Sequence, residues 1–177
     1  MRVPGDVAGR RADALCTGIT NAPLAIQTAD CAPVGLVSRS GVVGVAHCGW
    51  RGLVAGVVQR TVDAMRTLGA GEIVAVVGPC IGPSEYEFGA ADLLLLTDLF
   101  GPGVESRTQD GAPALDLPAA VGAACRQASV QVTASLGACT AANPDRYWSH
   151  RARGDVQRQA MVLWIEPASS RSAKDGE

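Results

Sequence analysis

Three side chains capable of chemistry crowd into one short stretch: the thiol of Cys31, the imidazole of His47 and the guanidinium of Arg51. The stretch reads Thr28-Ala29-Asp30-Cys31-Ala32-Pro33-Val34 and, after an interruption, Ala46-His47-Cys48-Gly49-Trp50-Arg51-Gly52. Thiolate sulfur and imidazole nitrogen both suit zinc, but a catalytic zinc generally takes three protein ligands and leaves a position for water. Spacing alone therefore leaves three readings of Cys31 and His47. They are metal ligands, a Cys/His nucleophile pair as in thiol hydrolases, or a buried thiol beside a satisfied histidine. Arg51 can hold a phosphate or carboxylate through its forked donors, or it is a solvated first-turn arginine. Asp30 stands where it can orient a ligand from behind. Trp50 reads as packing.

The elements that must position these groups follow from hydrophobic period. Apolar runs over 12–17 and 24–28, separated by Gly18 and the turn-like Asn21-Ala22-Pro23, predict two strands. Runs over 34–38 and 42–47 predict a hairpin closed by Arg39-Ser40-Gly41. The sheet is then expected to run almost continuously from Leu24 to His47, broken only around Cys31. Pro33 lacks an N–H and belongs at a strand start or bulge. From 53 to 68 the period becomes helical, through Val54, Val58, Val62 and Met65, with Gly69 as terminator. The N-terminus of that helix falls at 49–52, so Arg51 and unpaired first-turn N–H groups converge where an anion is favoured.

Further on, a strand is expected over 72–77, a Gly/Pro turn over 78–83 and a helix over 90–100 with Leu93, Leu96 and Phe100 inward. A loop over 101–113, a helix over 117–128 with Pro118 in its first turn, and a strand over 130–134 follow. Residues 138–149 read as irregular and 159–165 as a closing strand. The result is one α+β domain over 1–166, with a disordered, Ser-rich and charged tail over 167–177.

Composition bounds the class. With 47% hydrophobic and 18% charged residues the chain is globular. A net charge of −2 gives no footprint for nucleic acid or an anionic membrane. No apolar run approaches the about 18 residues of a membrane span, and no secretion signal opens the chain. A cytoplasmic location is expected by default. The 6 cysteines form no Cys-x-x-Cys pair, so Cys16 and Cys125 read as core residues and Cys80 as part of a backbone turn, outside the site.

Taken together with Gly78-Pro79-Cys80-Ile81-Gly82 and Tyr86-Glu87-Phe88-Gly89, the two central motifs resemble the YfiH-like laccase-domain family. The late segment Tyr147-Trp148-Ser149-His150-Arg151, with Arg158, resembles that family's aromatic-Ser-x-Arg ending. The resemblance covers 10–165. It implies mixed β-sheets packed face to face with helices outside. It also implies zinc-dependent purine nucleoside phosphorolysis, with adenosine deamination and methylthioadenosine phosphorolysis alongside. Some family members are instead peptidoglycan editing factors, so a non-catalytic or editing role is the rival expectation. The family's cysteine and histidine ligands fall on Cys31 and His47. Its third ligand, a histidine in a Gln-x-His motif, has no counterpart here, and an N-terminal segment is expected to be missing. His150 replaces a family tyrosine and is a lesser candidate ligand.

The expectation is thus a zinc enzyme with Cys31 and His47 catalytic and metal-binding, Arg51 on phosphate, and Asp30 behind them. Its partners are a small nucleoside and phosphate, with no nucleic acid and no membrane, and it acts as a monomer. Copper ranks behind zinc. A type 1 copper takes two histidines and a cysteine, and four-copper enzymes need many histidines, whereas this chain has 2.

Overall fold

The computed structural model describes residues 11–167; the polar opening over 1–10 and most of the expected tail, 168–177, lie outside the described residues. β-Branched and small apolar residues dominate the segments that become the central sheet. These are β1 (Ala14–Thr17), β3 (Ala32–Ser38), β4 (Val42–Cys48), β5 (Ile73–Val77) and β8 (Gln131–Ser135), in the order β1-β4-β3-β5-β8. All neighbours are antiparallel except β5 and β8, whose parallel pairing shifts register between Ala75 and Val76.

Strand β4 shows why its sequence is apolar at nearly every position. Its Val43 and Val45 face one layer while Val42, Ala46 and Cys48 face another, so both surfaces of the strand are buried. On the first side lies a second, two-stranded sheet formed by β2 (Leu24–Thr28) and β9 (Gln159–Leu163). Leu24 and Ile26 pack there against Val43 and Val45. This corrects the expectation of a continuous sheet from Leu24 to His47. The chain changes layers at 29–31, and the break that carries Cys31 is a crossing between sheets.

On the other side lie the helices. The expected helix over 53–68 is two: α1 (Trp50–Val54) and α2 (Val57–Thr67), parted at Gly56 with φ 75°. Ala55 and Gly56 satisfy the end of α1 through hydrogen bonds to Arg51 O and Leu53 O, and only a residue without Cβ takes that left-handed turn cheaply. Helix α2 lies so close to β4 that a Cβ at Gly44 would meet Met65 Sδ at 2.8 Å. Each fully buried Val or Met at this contact contributes about 1.5–3 kcal/mol by area.

α3 (Ala90–Phe100) and α4 (Leu117–Gln127) occupy the crossover between β5 and β8. Asp116 Oδ1 accepts from Ala119 N and caps α4, with Pro118 in the first turn where no N–H is needed. The segment 101–113, expected as loop, contains a 3-10 turn at Pro102–Val104 and strand β6 (Glu105–Arg107), which pairs with β7 (Pro113–Leu115). Three-residue strands are too short for a period to register. A one-turn helix, α5 (His150–Arg153), begins where the irregular segment ends, capped by Ser149 Oγ on Ala152 N. No helix among the described residues is long and apolar enough to cross a membrane.

Candidate functional site

Register brings the central motifs together. In the β3–β4 ladder Pro33 lies opposite His47 and Ala32 opposite Cys48, so Cys31 arrives beside His47 and Gly49. A Cβ at Gly49 would stand 2.9 Å from Cys31 Sγ and 3.9 Å from His47 Nε2. Glycine at this position therefore leaves the space that the thiol occupies.

His47 is held from three sides. Its Nδ1 meets Asp13 Oδ1 at 3.2 Å, its backbone N donates to Asp13 O at 2.7 Å, and its ring hydrogen-bonds the Cys31 side chain. The Cys31 hydrogen bond is the main cause that lifts the imidazole from its usual 6.5 to about 9; burial opposes it and Asp13 adds to it. Asp13 was not singled out from sequence. An acidic residue at a strand start is ordinary, and nothing local announces that β1 lies beside β4.

Asp30 sits at φ 87°, a left-handed conformation that a non-glycine residue adopts only when its surroundings hold it there. Its buried carboxylate accepts from Thr140 Oγ1 at 2.7 Å and from Arg151 N at 2.6 Å, and its carbonyl accepts from Ile81 N at 2.8 Å. It thus ties the strand break to the 78–83 turn, the 138–143 loop and α5. The carboxylate on the imidazole is Asp13, while Asp30 fixes the backbone that presents Cys31.

Arg51 is exposed at the start of α1, its guanidinium 4.3 Å over the Trp50 ring. Since α1 has only 5 residues, the anion-favouring field expected from a helix running to 68 is that of a single short turn. Trp50 packs edge-on against Phe88 at 5.5 Å, as expected of a packing residue, and also carries the arginine. Tyr86 and Arg151, quoted from sequence without a role, stand in the same cleft, with Arg151 4.9 Å over the Tyr86 ring.

Cys31, His47, Arg51, Tyr86, His150 and Arg151 share a cleft of about 360 Å³. A larger space of about 510 Å³ lies between β1 and α2, lined by Ala14, Leu15, Val57 and Ala64 together with Asp13, Arg60 and Thr61, and it contains neither Cys31 nor His47. Cys80 is buried at an isolated bridge with Cys139, and burial, seconded by Cys139, pushes its thiol up to about 12. Cys48 and Cys125 are likewise buried, and Cys16 is half-buried in β1.

Zinc can be tested against these donors. Cys31 and His47 supply sulfur and nitrogen side by side, but no group of three His, Cys, Asp or Glu among the described residues could hold a metal. His150 shares the cleft without completing such a set. The donors fall one short of a catalytic zinc shell.

Comparison with known proteins follows the same lines. The chain is 37% identical over 166 residues to a Xylella fastidiosa protein named purine nucleoside phosphorylase, covering 87% of this chain and 61% of that one. A Streptomyces coelicolor protein of the same name is 37% identical over 165 residues, covering 92% and 67%. The structure resembles Bacillus licheniformis YfiH with a TM-score of 0.79 and 27% identity, over 87% of this chain and 61% of that one. It resembles Neisseria meningitidis NMB0706 with a TM-score of 0.79 and 28% identity, over 88% and 65%. The chain therefore spans about three fifths of the length of the Xylella relative and of YfiH. The α+β architecture of facing sheets and outer helices is theirs as well. The family model described as multi-copper polyphenol oxidoreductase laccase matches residues 2–166, and the chain belongs to that laccase-domain, YfiH-like family.

Proposed function

We propose that the chain carries the reaction cleft of a purine nucleoside phosphorylase, acting on adenosine, inosine or guanosine with phosphate in the cytoplasm. The observation that carries the reading is the convergence of Cys31, His47 and Arg51 in one cleft of nucleoside size. The names of its relatives supply the substrate class.

In this reaction a phosphate oxygen attacks C1′ of the ribose, the bond from C1′ to the base breaks, and its electron pair leaves with the purine, which takes up a proton. Arg51 binds the phosphate through its fork and fixes the attacking oxygen. Cys31 and His47 form the polar wall at the reacting carbon, with Asp13 fixing which imidazole nitrogen faces Cys31. Cys31 and His47 are also this chain's two donors to zinc, which would polarise the substrate or activate water when bound. The described residues provide no third donor beside these two. Adenosine deamination and methylthioadenosine phosphorolysis belong to the same proposal as secondary activities.

The test is direct. Inosine or adenosine with phosphate should yield free base and ribose 1-phosphate, and Cys31→Ala should abolish the reaction. Base release that does not need phosphate, or full activity in Cys31→Ala, overturns the reading.

A further inference from the structure

The two arginines of the cleft share an unusual support. The Arg51 guanidinium lies 4.3 Å over Trp50 and the Arg151 guanidinium 4.9 Å over Tyr86. Both rings meet the same third ring edge-on: Trp50–Phe88 centroids are 5.5 Å apart at 87°, and Tyr86–Phe88 centroids 5.3 Å apart at 74°. Phe88 and Tyr86 are buried, so the trio is anchored in the core while its two ends carry cations at the cleft. Edge-to-face contacts fix ring orientation, and a guanidinium held over a ring keeps its remaining N–H groups able to donate.

Neither arginine meets a carboxylate among the described residues; the three ion pairs there involve other groups. Arg151 is further restrained by Nη1 donating to Glu87 O at 3.3 Å and by its own N–H on the buried Asp30 carboxylate. Asp13, the other acidic group lining the cleft, is hydrogen-bonded to His47. Two unneutralised, preoriented guanidiniums on the walls of one small cleft suit an anion with several oxygens, which a forked donor recognises better than a point charge.

We propose that Arg51 and Arg151 form a two-armed clamp for a single phosphoryl group, spaced by the Trp50–Phe88–Tyr86 trio. Arg151 is a substrate-binding residue and Phe88 a positioning residue. The clamp rests on the phosphorolysis reading for its biological ligand, and the shared chemistry is the phosphoryl dianion, carried by inorganic phosphate or by ribose 1-phosphate. Preset spacing means that little side-chain entropy is lost when the anion arrives. It also means that the second arm fails if the trio is altered, even though Phe88 never touches the anion.

Equilibrium dialysis of the full chain against radiolabelled inorganic phosphate, and separately against ribose 1-phosphate, reads the clamp without turnover. Arg51→Gln and Arg151→Gln should each weaken phosphate binding about tenfold or more, and Arg151→Lys should stay weak because an ammonium has no fork. Phe88→Leu, with a thermal melt confirming a folded chain, should weaken phosphate binding while leaving inosine binding unchanged. Phosphate binding by Arg151→Gln equal to wild type, or an equal loss for phosphate and inosine in Phe88→Leu, overturns the clamp. Dependence of ribose 1-phosphate alone on Arg151 also overturns it as a grip on the attacking phosphate. The two proposals part cleanly. Ribose 1-phosphate formation with an unchanged phosphate KM in Arg151→Gln sinks the clamp and leaves phosphorolysis standing. Arg151-dependent phosphate binding without any turnover of nucleoside does the reverse.

Discussion

Cys31 and Cys80 are neighbours with opposite surroundings. Gly78 N donates to Pro33 O and Ile81 N to Asp30 O, so the segments bearing the two thiols run side by side at one end of the central sheet. Both follow a break in regular structure, Cys31 after the bend at Ala29-Asp30 and Cys80 after Gly78-Pro79. Yet Cys31 faces a cleft and an imidazole, while Cys80 faces protein and a second thiol, with 5% of its surface exposed. The thiol that faces the imidazole and the cleft is open to a ligand. The one that faces the core is pushed up to about 12 and serves as packing. Position at a strand end permits function, and the side to which the residue points decides it.

The sharpest way to break this comparison is substitution of each thiol. Cys31→Ala should eliminate phosphorolysis without changing stability much. Cys80→Ala should keep activity and lose about 1 kcal/mol of stability through lost packing in a buried site. Activity assays and denaturant midpoints on both variants decide it, and comparable activity losses in the two would erase the distinction.

Alkylation gives the next largest contrast. Iodoacetamide on the native chain should modify Cys31 about a hundredfold faster than Cys80, whose thiol is both buried and poorly ionised. Peptide mass spectrometry over a time course is the measurement. Equal labelling before unfolding would show that both thiols reach solvent.

Two glycines refine the same contrast. A Cβ at Gly49 would fall 2.9 Å from Cys31 Sγ, whereas a Cβ at Gly82 would meet Cys139 Sγ at an ordinary 3.5 Å. Gly49→Ala should therefore displace the thiol and cut activity about tenfold or more, since sub-ångström misplacement of a reacting group is costly. Gly82→Ala should be close to neutral. Retained activity in Gly49→Ala would mean that the thiol position is not critical.

The smallest effect is in pH dependence. His47 is raised from 6.5 to about 9, so the metal-free native state holds a proton that the unfolded chain releases above 6.5. Its stabilising contribution is complete below pH 6.5 and fades as pH rises through 9. Cys80, raised from 9.0 to about 12, contributes a second decline that starts only above pH 9. Melting curves from pH 6 to 10 should show the first decline in wild type and lose it in His47→Gln. A slope between pH 6.5 and 9 that survives the substitution assigns it elsewhere.

Much of the fold was legible in local pattern. The boundaries of α3 and β2 were read as found, and those of β4, β5 and α4 to within a residue, because period and turn residues are local properties. The convergence of Cys31 with His47 was legible too, since a short hairpin sets the register of its own two strands. Gly56 was not read as a break, because a lone glycine in a helical period says nothing about its φ. Strand β2 was assigned to the wrong sheet, because an apolar run does not name its partner and β9 lies more than a hundred residues away.

By itself, then, the sequence determined which residues are apolar, where the chain turns, and that a thiol, an imidazole and a guanidinium lie close along it. The tertiary structure alone decided which carboxylate meets His47, that Asp30 spends its charge on Thr140 and Arg151 instead, and that Phe88 links the supports of two arginines. The physical reason is range. Propensity and period act over a few residues, whereas Asp13 and His47 are 34 positions apart and Asp30 and Arg151 are 121 apart. Contacts of that separation exist only once layers have packed, and only packing sets the burial and partners that turn a side chain into a site.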